Sequence, residues 1–205
     1  YYCDEKAELK KQIKFSAIQY SMLDADKGWN LNKYKISNTI ESVGIPLAKY
    51  CQSRHGIATL SNKTYIFSPI REDDDFFYLE KNDIVYSIER EMCKDIVNSN
   101  KLNSDKCLND IKHKVIFPYQ ILDGKAVLID EDHMRRNYPM AFAYLASQKE
   151  VLAGRDKGKG SDYPVWYAYG RTQSLIMPAV KMFFPKIANK PLRCVIANDP
   201  NLWLY

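Results

Sequence analysis

The strand-like runs of this chain are short, and proline or a turn dipeptide cuts several of them. TYIFSPI (residues 64–70) runs into Pro69, HKVIFPYQI (113–121) is interrupted by Pro118, and MFFPKI (182–187) by Pro185. Proline has no N–H to give to a strand ladder and fixes φ, so it ends a strand or confines it to an edge. KAVLID (125–130) follows Asp123-Gly124, a dipeptide suited to the positive-φ positions of a two-residue turn, and is expected to pair as a hairpin with the run before it. RCVIAN (193–198) and LWLY (202–205) supply further short strands that close the sheet. Tyr138, Ala141, Phe142, Leu145 and Leu152 fall on one helical face, with Asn137 as N-cap, Pro139 in the first turn and an end near Gly154. Two more helices are expected over 4–23, with Ile13, Ala17 and Tyr20 at helical spacing, and over 33–43, stopping at Gly44. The pattern predicts an α/β (α+β) fold in which a mixed, short-stranded sheet packs with helices.

With 205 residues, 46% hydrophobic and 27% charged, the chain is large enough to bury a real core within one large domain or two small ones. Its richest apolar run, SLIMPAVKMFFP, is broken by Pro178, Lys181 and Pro185, so a membrane-spanning helix is not expected and a soluble protein is. The chain opens YYCDEKAEL, without an initiator Met or a signal-like segment, and closes on NLWLY; both ends read as cuts in a longer polypeptide. Five cysteines, an odd number without CxxC spacing, favour neither a disulfide framework nor a zinc knuckle and fit a reducing cytoplasm. Cys93, Cys107 and His113 form a conceivable metal set, but free cysteine is commonly a small core residue, and His55 and His133 have no partner pattern.

Charge is unevenly spread. Residues 71–95 carry four basic against nine acidic side chains, a segment expected to repel DNA. Residues 149–193 carry nine basic against three acidic, interleaved with aromatics, a composition suited to contacting phosphates and equally to a solvated face. Asp73, Asp74 and Asp75 are candidate metal ligands, and Glu89 and Glu91 candidate nuclease carboxylates. Neither set has the spaced acids and lysine on paired strands that two-metal cleavage needs. Phosphate-cradling glycine loops are absent, and no Ser-His-Asp or Cys-His spacing suggests nucleophilic catalysis. The reading is therefore of a chain without catalytic residues or a metal site of its own.

Three motifs resemble the TaqI-like target recognition domain of DNA adenine N6-methyltransferases, also carried by fused restriction-modification enzymes: GIATLSNKTYIF (56–67), KVIFPYQILDGKAVLIDEDHMRRNYPMAFAYLASQKEVLAGRD (114–156) and WYAYGRTQSL (166–175) with MFFPKI after it. The likeness covers residues 46–199. It implies an N-terminal helical connector over 1–45, a target recognition domain over 46–205, double-stranded DNA and the methyltransferase domain of the same polypeptide as partners, a monomer, and the cytoplasm of a bacterium or archaeon. It also implies S-adenosylmethionine in the parent enzyme. The family's Asn-Pro-Pro-aromatic motif and glycine-rich cofactor strand are missing here, so the chain itself is expected to bind no cofactor and to be no enzyme.

On this resemblance Arg171, Thr172 and Gln173 project toward base edges, Arg suiting guanine and Gln suiting adenine. Tyr169, Thr59, Asn62 and Lys63 join the DNA contacts, and Lys157, Lys159, Lys186 and Arg193 meet phosphates. Trp166, Tyr167 and Tyr169 either anchor their segment in the core or stack on the DNA backbone, and Gly170 permits a tight turn or a close approach. Where relatives often have a second glycine after the threonine, Leu60 and Ser61 stand here. A salt bridge or cap inside the domain is the competing role for Arg171. A small metal-dependent nuclease and a protein-interaction module are the competing classes.

Overall fold

Within the computed structural model, residues 19–22, 43–103, 107–158, 163–185 and 194–205 are described. The chain divides into two units, Tyr1–Ser53 and Arg54–Tyr205. In the first, single turns of 3-10 helix form at Tyr20–Met22 and Leu47–Lys49. The helices expected over 4–23 and 33–43 otherwise fall outside the described residues.

The second unit mixes short helices with four small sheets among the described residues, an α/β fold. It begins with α1 (Asn62–Tyr65), β1 (Ile66–Phe67), β2 (Arg71–Glu72), β3 (Phe76–Lys81), β4 (Ile84–Glu89), β5 (Cys93–Val97) and β6 (Lys112–Ile116). There follow β7 (Tyr119–Leu122), β8 (Lys125–Leu128), α2 (Glu131–Asn137), α3 (Pro139–Ser147), α4 (Lys149–Ala153), β9 (Val180–Phe183), β10 (Val195–Asn198) and β11 (Leu202–Leu204). The central sheet runs β1-β6-β5-β11, with β11 parallel to β5 and the other neighbours antiparallel. β2-β3-β4, β7-β8 and β9-β10 form three separate antiparallel sheets.

Local chemistry explains these elements. β7 and β8 pair across Asp123-Gly124, both at positive φ, the left-handed conformation a tight hairpin turn requires. β3 and β4 turn in the same way on Asn82-Asp83, with φ of 52° and 60°, so the acidic segment contains a regular hairpin. Four expectations are corrected. The strand predicted over 64–70 is only Ile66–Phe67, because Thr64 and Tyr65 belong to α1. Asn137 ends α2 rather than capping the next helix; α2 has its own cap, Asp130, whose carboxylate accepts from the His133 N–H at 2.8 Å. The helix expected to run from Asn137 to Gly154 begins at Pro139 and is interrupted at Gln148, between α3 and α4. Of the late strands only β11 joins the central sheet, while β9 and β10 pair with each other.

The larger core gathers Ile88, Ile96, Val115, Ile116, Phe117, Leu145 and Trp203 with five buried tyrosines, Tyr65, Tyr119, Tyr144, Tyr167 and Tyr169. Each tyrosine hydroxyl bonds a backbone group: Tyr65 donates to the Tyr167 carbonyl, Tyr144 to Thr64, Tyr167 to Ile129 and Tyr169 to Ile116, while Tyr119 accepts from the Tyr169 N–H. A phenol can be buried at low cost only when its O–H is satisfied, and here the satisfied hydroxyls also fix the loops that they bond.

Candidate functional site

The exposed polar residues of WYAYGRTQSL are carried by a segment that is itself locked into the core. Tyr167 and Tyr169 are fully buried, with their rings packed against Trp166 and Tyr65 respectively. Of the two roles open to them, core anchorage is the one observed. Tyr169 therefore presents no surface for DNA to stack on, and its hydroxyl is bound to the Ile116 carbonyl. Past Tyr169 the chain emerges, and the Gly170 and Arg171 N–H groups donate to the Thr59 and Ala58 carbonyls at 3.1 and 3.2 Å, an antiparallel bridge to the GIAT stretch. Gly170 serves a close approach: a Cβ there would overlap the Leu60 side chain. Arg171, Thr172 and Gln173 follow, all exposed. The Arg171 guanidinium makes no salt bridge among the described residues, so the internal ion pair is not seen.

The facing stretch is shaped by its own short polar side chains. Thr59, completely buried, donates its hydroxyl to Asn62 Oδ1 at 2.7 Å and accepts from the Ser61 N–H at 3.0 Å. This turn starts α1 and carries Leu60 at a φ of +55°, where a glycine would sit without strain. Thr59 is thus a buried loop-former rather than a surface contact. Asn62 and Lys63, by contrast, are exposed on α1. The antiparallel pairing of Ala58 with Arg171 thus ties the segment that carries Arg171, Thr172 and Gln173 to the stretch that leads into Asn62 and Lys63, and a cleft of about 490 Å³, lined by Leu60, Ser61, Asn62, Lys63 and Val151 among others but by none of that trio, opens along the stretch. Lys81 adds positive charge here: its ammonium donates to the Lys63 carbonyl at 2.7 Å, and burial, then the neighbouring Lys63 charge, lowers its pKa.

Lys157 is exposed in a left-handed turn in which Asp156, Lys157 and Gly158 all have positive φ. Lys159, Lys186 and Arg193 lie outside the described residues. Arg155 is the penultimate residue of the second motif. Only 5% exposed, it donates to the Tyr65 hydroxyl at 3.2 Å and the Trp166 carbonyl at 2.9 Å.

Two of the candidate carboxylates, Asp73 and Glu89, are engaged structurally. Asp73 accepts from the Asp75 and Phe76 N–H groups and from the Tyr78 hydroxyl, and these bonds, the Tyr78 one foremost, lower its pKa. Glu89 accepts from the Met140 and Ala141 N–H groups, both at 2.8 Å, and so caps α3 from strand β4. Cys93 is buried, which raises its thiol to about 12, whereas Cys107 is exposed and donates to Asp110. Among the described residues no group of three His, Cys, Asp or Glu side chains converges to hold a metal, and no helix is long and apolar enough to cross a membrane.

No known family model matches the chain. Over 190 residues it is 30% identical to the type II restriction enzyme and methyltransferase RM.Eco57I of Escherichia coli, an alignment covering 84% of this chain and 19% of that protein. The chain is thus related to a restriction-modification protein and spans about a fifth of the length of that curated relative.

Proposed function

We propose that this chain reads double-stranded DNA as the specificity domain of an adenine-specific N6 DNA methyltransferase or fused restriction-modification enzyme. The observation that carries the reading is the exposed trio Arg171, Thr172 and Gln173, tied by backbone pairing to the stretch that leads into Asn62 and Lys63, on a segment anchored by the buried Tyr167 and Tyr169. Arg and Gln are the side chains able to make bidentate contacts with guanine and adenine edges, and a rigid carrier fixes where those contacts fall. Lys63 and Lys157, with Lys159, Lys186 and Arg193, supply phosphate contacts that add affinity without sequence preference. Similarity to a protein named as both restriction enzyme and methyltransferase, over a minor part of its length, supports a division of labour. Residues 1–45 connect to a catalytic domain elsewhere in the polypeptide, which binds S-adenosylmethionine and transfers the methyl group, while residues 46–205 recognise the target. The setting is the cytoplasm of a bacterium or archaeon, and the chain acts as a monomer.

Fluorescence anisotropy with a random duplex across a salt series tests this. The expected result is binding that weakens steeply with salt, is reduced by Arg171→Ala, and loses about one unit of log–log salt slope per phosphate-contacting lysine removed. Binding that ignores salt, or that Arg171→Ala and Lys63→Ala leave untouched, would remove the DNA-reading surface and favour a protein partner.

A further inference from the structure

The two exposed segments are joined by more than their short backbone pairing. Tyr65 closes α1, and its hydroxyl donates to the Tyr167 carbonyl at 2.9 Å while receiving Arg155 Nη1 at 3.2 Å. Nη2 of the same guanidinium donates to the Trp166 carbonyl at 2.9 Å. Two successive carbonyls of the 166–173 segment therefore end on a single arginine–tyrosine pair. The Tyr65 ring also meets that of Tyr169 edge-on, with centroids 5.0 Å apart. The pair is buried, and the guanidinium lies 4.4 Å from the centre of the Tyr163 ring. Burying a positive charge is expensive, and an apolar side chain would fill the same volume at less cost. What the position uses is the planar fork, which fixes the spacing of two partners at once.

We propose that Arg155 and Tyr65 are positioning residues for sequence discrimination, locking the segment that carries Arg171 and Gln173 against α1, which carries Asn62 and Lys63. The inference rests on the DNA-reading function proposed above. Bidentate base contacts demand placement within about 0.5 Å, whereas a flexible lysine follows a phosphate through larger displacements. Loosening the lock therefore removes discrimination before it removes affinity.

The test uses the chain with Tyr65→Phe, which deletes the shared hydroxyl, and Arg155→Lys, which keeps the charge but not the fork. Ile88→Val, a core truncation in β4, controls for lost stability. Each protein is measured by thermal unfolding, by the salt slope on a random duplex, and by base enrichment from a randomised duplex library. The expected result is an unchanged salt slope in both lock variants, with preference at the most enriched positions reduced about fivefold or more, the lower end of what one bidentate contact supplies. Ile88→Val should keep the wild-type preference. Lock variants that retain it, or a control that loses as much, would overturn the inference while leaving DNA reading intact. Absence of base preference in the wild-type protein would overturn both. Should Tyr65→Phe not fold, Arg155→Lys decides.

Discussion

Replacing Glu89 by alanine should destabilise the fold in a way no nuclease role would predict. The side chain leaves the end of β4 and its two oxygens accept the Met140 and Ala141 N–H groups, each at 2.8 Å. These are first-turn donors of α3, whose own N-cap, Tyr138, makes no side-chain cap bond. Loss of an N-cap acceptor costs about 1 kcal/mol. A second orphaned donor, here on the buried Ala141, adds about 1 kcal/mol or more. The lost attraction between a carboxylate and the helix N-terminus contributes about 0.5 kcal/mol. The total is about 2–3 kcal/mol, which for a chain of this size lowers Tm by about 5–10 °C. Glu89→Gln keeps the shape but surrenders the charge and one acceptor, and should fall midway between Glu89→Ala and wild type. Urea unfolding should show a lower midpoint at constant slope. Glu80→Ala, on the exposed side of β3, is the control and should stay within about 0.5 kcal/mol of wild type. If Glu89→Ala behaved like Glu80→Ala, the cap would be idle and the carboxylate would need another explanation.

Gly56→Ala should cost about 1–3 kcal/mol, because the added methyl would overlap the Leu204 carbonyl and press on Tyr205 Cα, backbone atoms that cannot swing aside; an unchanged Tm would refute that packing. Gly170→Ala should also destabilise, since its Cβ meets Leu60 Cγ and Cβ, and Leu60→Gly should rescue it while relieving the left-handed strain at that position. Additive effects in that double-mutant cycle would refute the contact. At high pH the buried tyrosines should destabilise the fold. Burial raises Tyr119 and Tyr167 from the ordinary value near 10 to about 12, so the unfolded chain releases those protons first. Stability that is full below about pH 10 should then decline toward pH 12 at about 1.4 kcal/mol per pH unit per tyrosine, and a flat urea midpoint between about pH 9 and pH 11 would contradict this.

What could be read from the sequence was whatever depends on a few adjacent residues. The β7-β8 hairpin follows from Asp123-Gly124, and the breaks at Pro69, Pro118 and Pro185 fall where strands stop. The β3-β4 hairpin has a comparable turn dipeptide in Asn82-Asp83, set in a segment whose dense carboxylates mark it by charge rather than by alternation. Asn137 looked like an N-cap because the true caps are Asp130, seven residues upstream, and Glu89, on another strand. Only the second of these is a long-range contact, and no local pattern announces it. The parallel pairing of β11 with β5 is likewise long-range. Within the candidate site, Thr59 and Tyr169 carried polar atoms that suited a ligand, yet each spends its hydroxyl inside the fold. Arg155 stands in the motif as one basic residue among many, since burial is a property of the assembled core and not of its neighbours in sequence.

The same distinction changes the meaning of the charge map. In sequence, residues 71–95 form an acidic block facing a basic block at 149–193, as if the two ends would respectively repel and attract DNA. In the fold much of the acid is internal bookkeeping: Glu72 pairs with Arg90, Asp73 organises a turn, Glu89 caps α3, and Asp95 holds Lys112 and Lys114. The basic block is depleted from the other side, with Arg155 buried and Lys181 bonded to the Leu202 carbonyl. Among the described residues, the exposed cations on the two segments joined by the 58–171 bridge include Lys63 and Arg171, which lie more than a hundred residues apart in sequence. A charge that is already paired contributes little to an incoming phosphate, because binding it would first break the pair. Among the described residues, the field presented to a polyanion is therefore set by the side chains left unpaired, and the net charge of either block is a poor guide to it.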